Sequence, residues 1–195
     1  MTPRLNAFAA APALMKAWLD YSQTAQKNGL EESLIDLVKI RASQINGCAY
    51  CLDMHTSEAR QRGETEQRLY LIDAWRDSPL YNERERAAFA WTEALTRLSE
   101  TGASNDDYHA LETQFSKEEQ VALTLVIVAI YGWNRINVGF RVVHPVAERK
   151  AAGAVVSSER WSICASFGDL SDPDMRASAI SSAVPSLPYD IWPNS

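Results

Sequence analysis

Apolar residues recur at helical spacing along most of the chain, from residue 8 to about residue 143. Leu14, Trp18, Leu19 and Tyr21 mark a first amphipathic helix, which Asn28-Gly29 is suited to close. A second begins near Glu31, with Leu34, Ile35, Val38 and Ile45 on one stripe and Lys39 and Arg41 off it; Asn46-Gly47 stops it. A third spans about residues 48–62 and ends at Gly63. A fourth covers residues 65–75 and halts before Ser78-Pro79. Asn82 caps a helix that reaches about residue 99, with Phe89, Trp91, Leu95 and Leu98 as its apolar positions. Residues 101–105 read as a loop and 106–115 as a short helix. Ser116 and Glu119 have the spacing of a capping box, which opens a long apolar helix running to about residue 140. No segment alternates as a strand does, and there is no Gly-rich phosphate loop. The pattern predicts an all-α fold.

The run 121–133 is apolar on nearly every face. It is shorter than the ~20 residues that span a bilayer, so it is expected in the core or in a subunit interface. After His144-Pro145 the pattern changes: Ser, Ala and Pro become common and the apolar residues lose their period. This places a helical domain at residues 1–144 and a Ser/Ala/Pro-rich tail at 145–195 that is hard to bury. Trp161, Phe167 and Trp192 leave that tail some scope for local packing.

Charge narrows the function classes. Lys and Arg number 19 against 25 Asp and Glu, a net charge of -6. No basic cluster is present, which argues against a nucleic-acid partner. The N-terminal apolar stretch is short and broken by Pro12, unlike an export signal. A soluble cytoplasmic protein is expected, with no membrane partner. The three cysteines, Cys48, Cys51 and Cys164, form one close pair and one single residue, which is not a secreted disulfide framework.

The close pair carries the candidate chemistry. Three residues apart at a helix start, Cys48 and Cys51 lie on neighbouring faces and can form a disulfide. The unpaired N–H groups and positive end of the helix favour thiolate over thiol. A thiolate can attack a peroxide O–O bond, and a second cysteine can condense with the resulting sulfenic acid. His55 lies one turn beyond Cys51 on the same face, placed to accept its proton. Asp36, on the preceding helix, faces this site if the two helices pack antiparallel through Asn46-Gly47, and there it would orient the imidazole or relay a proton. Two other readings stay open at this point: an inert buried pair, and a zinc site for which only His109, His144 and Cys164 remain as further His/Cys ligands. A thioredoxin-type pair would need βαβ signals. Trp91, Trp133 and Phe140 read as packing residues. Asn134, Arg135 and Asn137 read as partners of the Asn46-Gly47 turn or of a neighbouring subunit. His109 and His144 are expected to be exposed.

The stretch Lys39-Ile-Arg-Ala-Ser-Gln-Ile-Asn-Gly-Cys48-Ala-Tyr-Cys51-Leu-Asp-Met-His55 resembles the signature of the AhpD-like branch of the carboxymuconolactone decarboxylase superfamily. So do Ala90-Trp91-Thr92-Glu93-Ala94-Leu95-Thr96 and Trp133-Asn134-Arg135-Ile136-Asn137-Val138, and the likeness extends over about residues 8–143. The resemblance implies an AhpD-like helical bundle assembled into homo-trimers or hexamers. It implies a thiol-dependent peroxidase that acts on a small hydroperoxide, draws on a thiol reductant, and needs no cofactor or metal. It assigns the peroxidatic role to Cys51, the resolving role to Cys48 and proton relay to His55. Two positions depart from the family pattern: Asp36 stands where Glu is usual, and Tyr50 stands where the best-known members carry a second His. Lactone decarboxylation is the superfamily's other named activity, but it does not require a redox cysteine pair. A non-enzymatic redox sensor or structural oligomer would use the same thiols.

Overall fold

The structure, a computed structural model, describes residues 2–27 and 29–146. The tail expected at 145–195, Asn28 and Cys164 lie almost wholly outside the described residues. Helix is the only regular structure among the described residues. The helices are α1 (Ala7–Ala10), α2 (Pro12–Gln26), α3 (Glu32–Asn46), α4 (Ala49–Gln61), α5 (Glu66–Leu71), α6 (Glu83–Thr96), α7 (Leu98–Thr101), α8 (Asn105–Gln114) and α9 (Lys117–Phe140).

Local chemistry sets the boundaries. Ser116 and Glu119 form the expected capping box at the start of α9, and Asn82 forms a second with Glu85 at α6. Gly47 ends α3 at φ 64°, a left-handed conformation that glycine adopts without a Cβ penalty. Three boundaries differ from the expected ones. The first helix is split, because Pro12 has no N–H to donate and pushes Ala11 out of the helical region, to φ -144° and ψ 65°. The fourth tightens after Leu71 into a 3-10 turn, Ile72–Ala74. The helix from Asn82 stops at Thr96, where the Thr101 hydroxyl reaches back to the Ala94 carbonyl at 2.7 Å and a separate short α7 begins.

α3 is the axis of the bundle and packs on α4, α6 and α9. Leu34, Ile35 and Val38 meet Ala87 and Ala88 of α6, Leu111 of α8, and Leu123, Val126 and Ile127 of α9. On another side, Leu37 and Ile40 pack with Leu69, Ile72, Trp75, Tyr81 and Phe89. Lys39 and Arg41, which lie off the apolar stripe, are buried all the same. They are 6% and 5% exposed, because a helix covered on all sides has no outer face. Arg41 pairs with Glu93 of α6 and with Asp73, and Lys39 Nζ donates to Gln26 Oε1 of α2 at 2.6 Å.

The long apolar helix divides between two environments. Leu123, Val126, Ile127 and Ile130 are in the core, whereas Val121, Leu125 and Val128 remain exposed within a single chain. By length and mean hydropathy α9 would suffice to cross a membrane, yet here one face closes the core. The aromatics behave as packing residues. Trp91 Nε1 donates to Thr124 Oγ1 at 3.0 Å, and Trp133 lies beside Phe8 and Trp18 while donating to Ser22 Oγ at 2.9 Å.

The approach of α2 to α9 depends on Gly132. A Cβ at this position would fall within 2.8 Å of Trp18 Cη2 and closer still to Cζ2. Overpacking of this kind costs about 1–3 kcal/mol, whereas Gly→Ala in a helix otherwise gains about 1 kcal/mol. Gly132→Ala should therefore lower stability to denaturant in the native chain, yet raise it in a Trp18→Ala background. A stabilising effect in the native chain would contradict the close approach.

Candidate active site

The turn between α3 and α4 builds the site. Gly47 reverses the chain, and Cys48 becomes the N-cap of α4, with its N–H bonded to the Ser43 carbonyl at 3.0 Å. Its sulfur accepts the Cys51 backbone N–H at 3.3 Å, one of the donors a helix start leaves unpaired. Cys48 and Cys51 form a disulfide, with Cα atoms 5.3 Å apart. Both are buried, at 1% and 0% exposure, among Ala42, Ile130, Tyr50 and Trp133.

α9 holds this turn from the other side. Asn134 is 1% exposed; its Oδ1 accepts from Asn46 Nδ2 at 2.9 Å and its Nδ2 donates to Ser43 Oγ at 3.1 Å. That is the contact with the Asn46-Gly47 turn that the sequence suggested. Asn137 goes elsewhere: its Nδ2 lies 3.3 Å from Cys51 Sγ. Arg135 is exposed and lies over the Tyr131 ring.

His55 is 6% exposed, and burial holds its pKa below the ordinary 6.5, so the ring is neutral near neutral pH. Its Nδ1 is 3.0 Å from Glu58 Oε2. Burial pushes the Glu58 carboxyl up, but the His55 hydrogen bond and the nearby positive charges bring it below 4.5. An ionised carboxylate only accepts, so Nδ1 carries the hydrogen and Nε2 of the neutral ring keeps a lone pair. Glu58 therefore supplies the orienting contact that the sequence reading gave to Asp36. It lies three residues after His55, on the same helix face, a spacing the sequence already contained.

Asp36 is 4% exposed, and its Oδ2 accepts from Arg62 at 2.5 Å. With Arg62, Ser33 and Gly63 it lines a small cleft of about 150 Å³. Burial raises its pKa above 3.8 despite the Arg62 guanidinium, and burial likewise lowers that of Lys39. No group of three or more His, Cys, Asp or Glu side chains converges on a metal-sized site among the described residues. His109 is exposed beside Glu112.

The depressed His55 pKa makes the fold sensitive to acid. Its contribution to stability is present above the unfolded value near 6.5 and is lost as pH falls through the lower folded value. Glu58→Gln keeps an acceptor for Nδ1–H but removes the charge that holds the imidazole value up. The His55 ring should then titrate at still lower pH by NMR, and stability should fall more steeply just below pH 6.5. A midpoint that stays put or rises would remove Glu58 from this role.

Four similarities bear on this geometry. The family model for the carboxymuconolactone decarboxylase family matches residues 12–94, which include both cysteines and His55. YdfG of Bacillus subtilis, itself uncharacterised, is 38% identical over 138 residues, covering 71% of this chain and 94% of its own length. A crystal structure from Agrobacterium tumefaciens, of a protein of unknown function proposed to be the antioxidant defence protein AhpD, is 47% identical. It superposes with a TM-score of 0.73 over 75% of this chain and 100% of that one. The debrominase Bmp8 shares the fold at 19% identity and a TM-score of 0.63, over 71% of this chain and 75% of its own. With its helical bundle and its paired cysteines at the start of α4, the chain belongs to the AhpD-like, carboxymuconolactone decarboxylase superfamily.

Proposed function

We propose that this protein is a cytoplasmic thiol-dependent peroxidase that reduces small hydroperoxides and is recycled by a thiol reductant. The observation that carries the reading is the Cys48–Cys51 disulfide at the start of α4, one turn before a neutral His55 tied to Glu58. In the reduced pair, His55 Nε2 takes the Cys51 proton. The Cys51 thiolate attacks the terminal peroxide oxygen, and the O–O bond breaks. The alkoxide takes the proton from the His55 imidazolium and leaves as an alcohol, while Cys51 becomes a sulfenic acid. The Cys48 thiol then attacks the Cys51 sulfur; the S–S bond forms and water leaves. Two equivalents of external thiol restore the pair, entering at Cys48. Asp36, whose pKa is raised by burial, serves as a proton relay at the edge of the site. The scheme requires no metal or cofactor.

One observation favours a second reading. Both sulfurs are fully covered, as suits a sensor that is oxidised once and reports its state. Turnover separates the two. The peroxidase reading expects the reduced protein to consume many equivalents of hydroperoxide when supplied with dithiol. Cys51→Ser should abolish this, and Cys48→Ser should trap a sulfenic acid on Cys51. Oxidation by one equivalent without turnover would favour the sensor. Sulfenic acid forming on Cys48 in Cys51→Ser at the native rate would move the nucleophile to Cys48.

The same reading includes a homo-oligomer, a trimer or a hexamer. Val121, Leu125 and Val128 form an exposed apolar stripe along α9, and a second copy of this chain is the partner proposed for it. Light scattering should show a multimer at micromolar concentration, reduced to smaller species by Val128→Glu. Monomer alone across that range would defeat the assignment.

A further inference from the structure

Asn137 lies on α9, one helical turn past Asn134, and is 8% exposed. Its Nδ2 faces Cys51 Sγ at 3.3 Å, across 86 positions of sequence. Neither sulfur of a disulfide carries a hydrogen. An amide N–H can therefore face Cys51 favourably, whereas the amide oxygen in its place would set lone pair against lone pair. The two sulfurs are served separately: Cys48 by the Cys51 backbone N–H, and Cys51 by the Asn137 side chain.

We propose that Asn137 is a catalytic residue whose amide stabilises the Cys51 thiolate by a direct hydrogen bond. A neutral thiol gains little from a donor, but a thiolate gains a charge-assisted bond, strengthened where water is excluded. When an external thiolate attacks Cys48 Sγ, the new S–S bond forms there and the old one breaks. The electron pair remains on Cys51 Sγ, where the Asn137 N–H meets the developing charge. In the next cycle the same bond sets the fraction of Cys51 ready to attack peroxide. His55 is neutral and supplies a site for the proton; Asn137 supplies the compensating dipole. The amide does not titrate, so its contribution persists in acid where that of the imidazole base is lost.

The role in turnover rests on the peroxidase reading, but the bond to sulfur does not, and the test uses the sulfur alone. In reduced protein carrying Cys48→Ser and Cys164→Ser, which leaves Cys51 as its single thiol, ultraviolet thiolate absorbance is followed against pH for native Asn137, Asn137→Ala and Asn137→Asp. Loss of the donor in Asn137→Ala should raise the thiolate midpoint by about one unit, a tenfold loss of thiolate below it. Asn137→Asp is nearly isosteric and should raise it further, because its carboxylate repels the thiolate. A role in packing alone predicts no such rise in Asn137→Asp. In the chain with both cysteines, at a pH above both thiolate midpoints, Asn137→Ala should shift the equilibrium with dithiothreitol about tenfold towards the disulfide. Unmoved midpoints in both variants would overturn the proposal, even in a protein that turns over peroxide. Shifted midpoints in a protein that consumes no peroxide would uphold the Asn137–sulfur bond while the peroxidase reading failed.

Discussion

Burial of α3 on every side is the constraint from which the other contacts follow. Residues 34–43 are all buried, and three of them, Asp36, Lys39 and Arg41, carry charge. An ion taken out of water without a partner costs several kcal/mol, so each of these selects its neighbour. Arg62 after α4 answers Asp36, Gln26 at the end of α2 answers Lys39, and Glu93 of α6 answers Arg41. Glu93 in turn accepts from Trp75 Nε1 at 2.8 Å and from Arg76 at 2.6 Å, which brings the segment after α5 onto the same axis. Apolar packing alone would let the helices slide or rotate about α3. The ion pairs and amide contacts admit one arrangement, since removal of a single member of a buried pair costs about 3–5 kcal/mol.

The same burial prepares the site. Asp36, Lys39, Ser43 and Asn46 recur at helical spacing along α3, and their partners lie on α2, α9 and the segment after α4. This polar stripe brings α9 to the α3–α4 turn through Asn134, and Asn137 reaches Cys51 because it lies one turn further along the same helix. Exclusion of water lowers the His55 pKa, so the imidazole is a base near neutral pH, and the nearby Lys39 charge acts in the same direction. Glu58 opposes both but fixes which nitrogen carries the hydrogen. The base is thus tuned by packing, and the sulfurs are polarised by donors that packing delivers.

Features that depend on neighbours in sequence were readable before the structure. The Ser116–Glu119 capping box, the Asn46-Gly47 stop and the Cys48–Cys51–His55 face of α4 all act within one or two helical turns. Glu58 belongs to this class as well, since it lies three residues after His55 on the same helix. The burial of Lys39 and Arg41 could not be read, because an amphipathic stripe predicts one covered face and says nothing of a helix enclosed by three others. Pro12 divides the first helix because it restricts the residue before it as well as lacking an N–H, an effect that apolar spacing alone does not register. Asn137 was beyond local reasoning: its partner lies 86 residues away, and only the packing of α9 against α4 brings them together.

The disulfide has little structural work in this scheme. Its cysteines are three residues apart within one helix start, so it closes a very short loop. The stabilisation a cross-link provides by restricting the unfolded chain grows with the length of loop closed. This bond restricts only residues that α4 already orders. The surrounding helices are held by α3, by the Asn134 contacts and by buried ion pairs, none of which requires the S–S bond to be intact. The proposed cycle of forming and breaking this bond therefore calls for no rearrangement of those contacts. In the peroxidase reading proposed above, a thiol pair that contributes little to the fold is free to cycle, and a shell of fixed donors and one neutral imidazole decides how readily it does so.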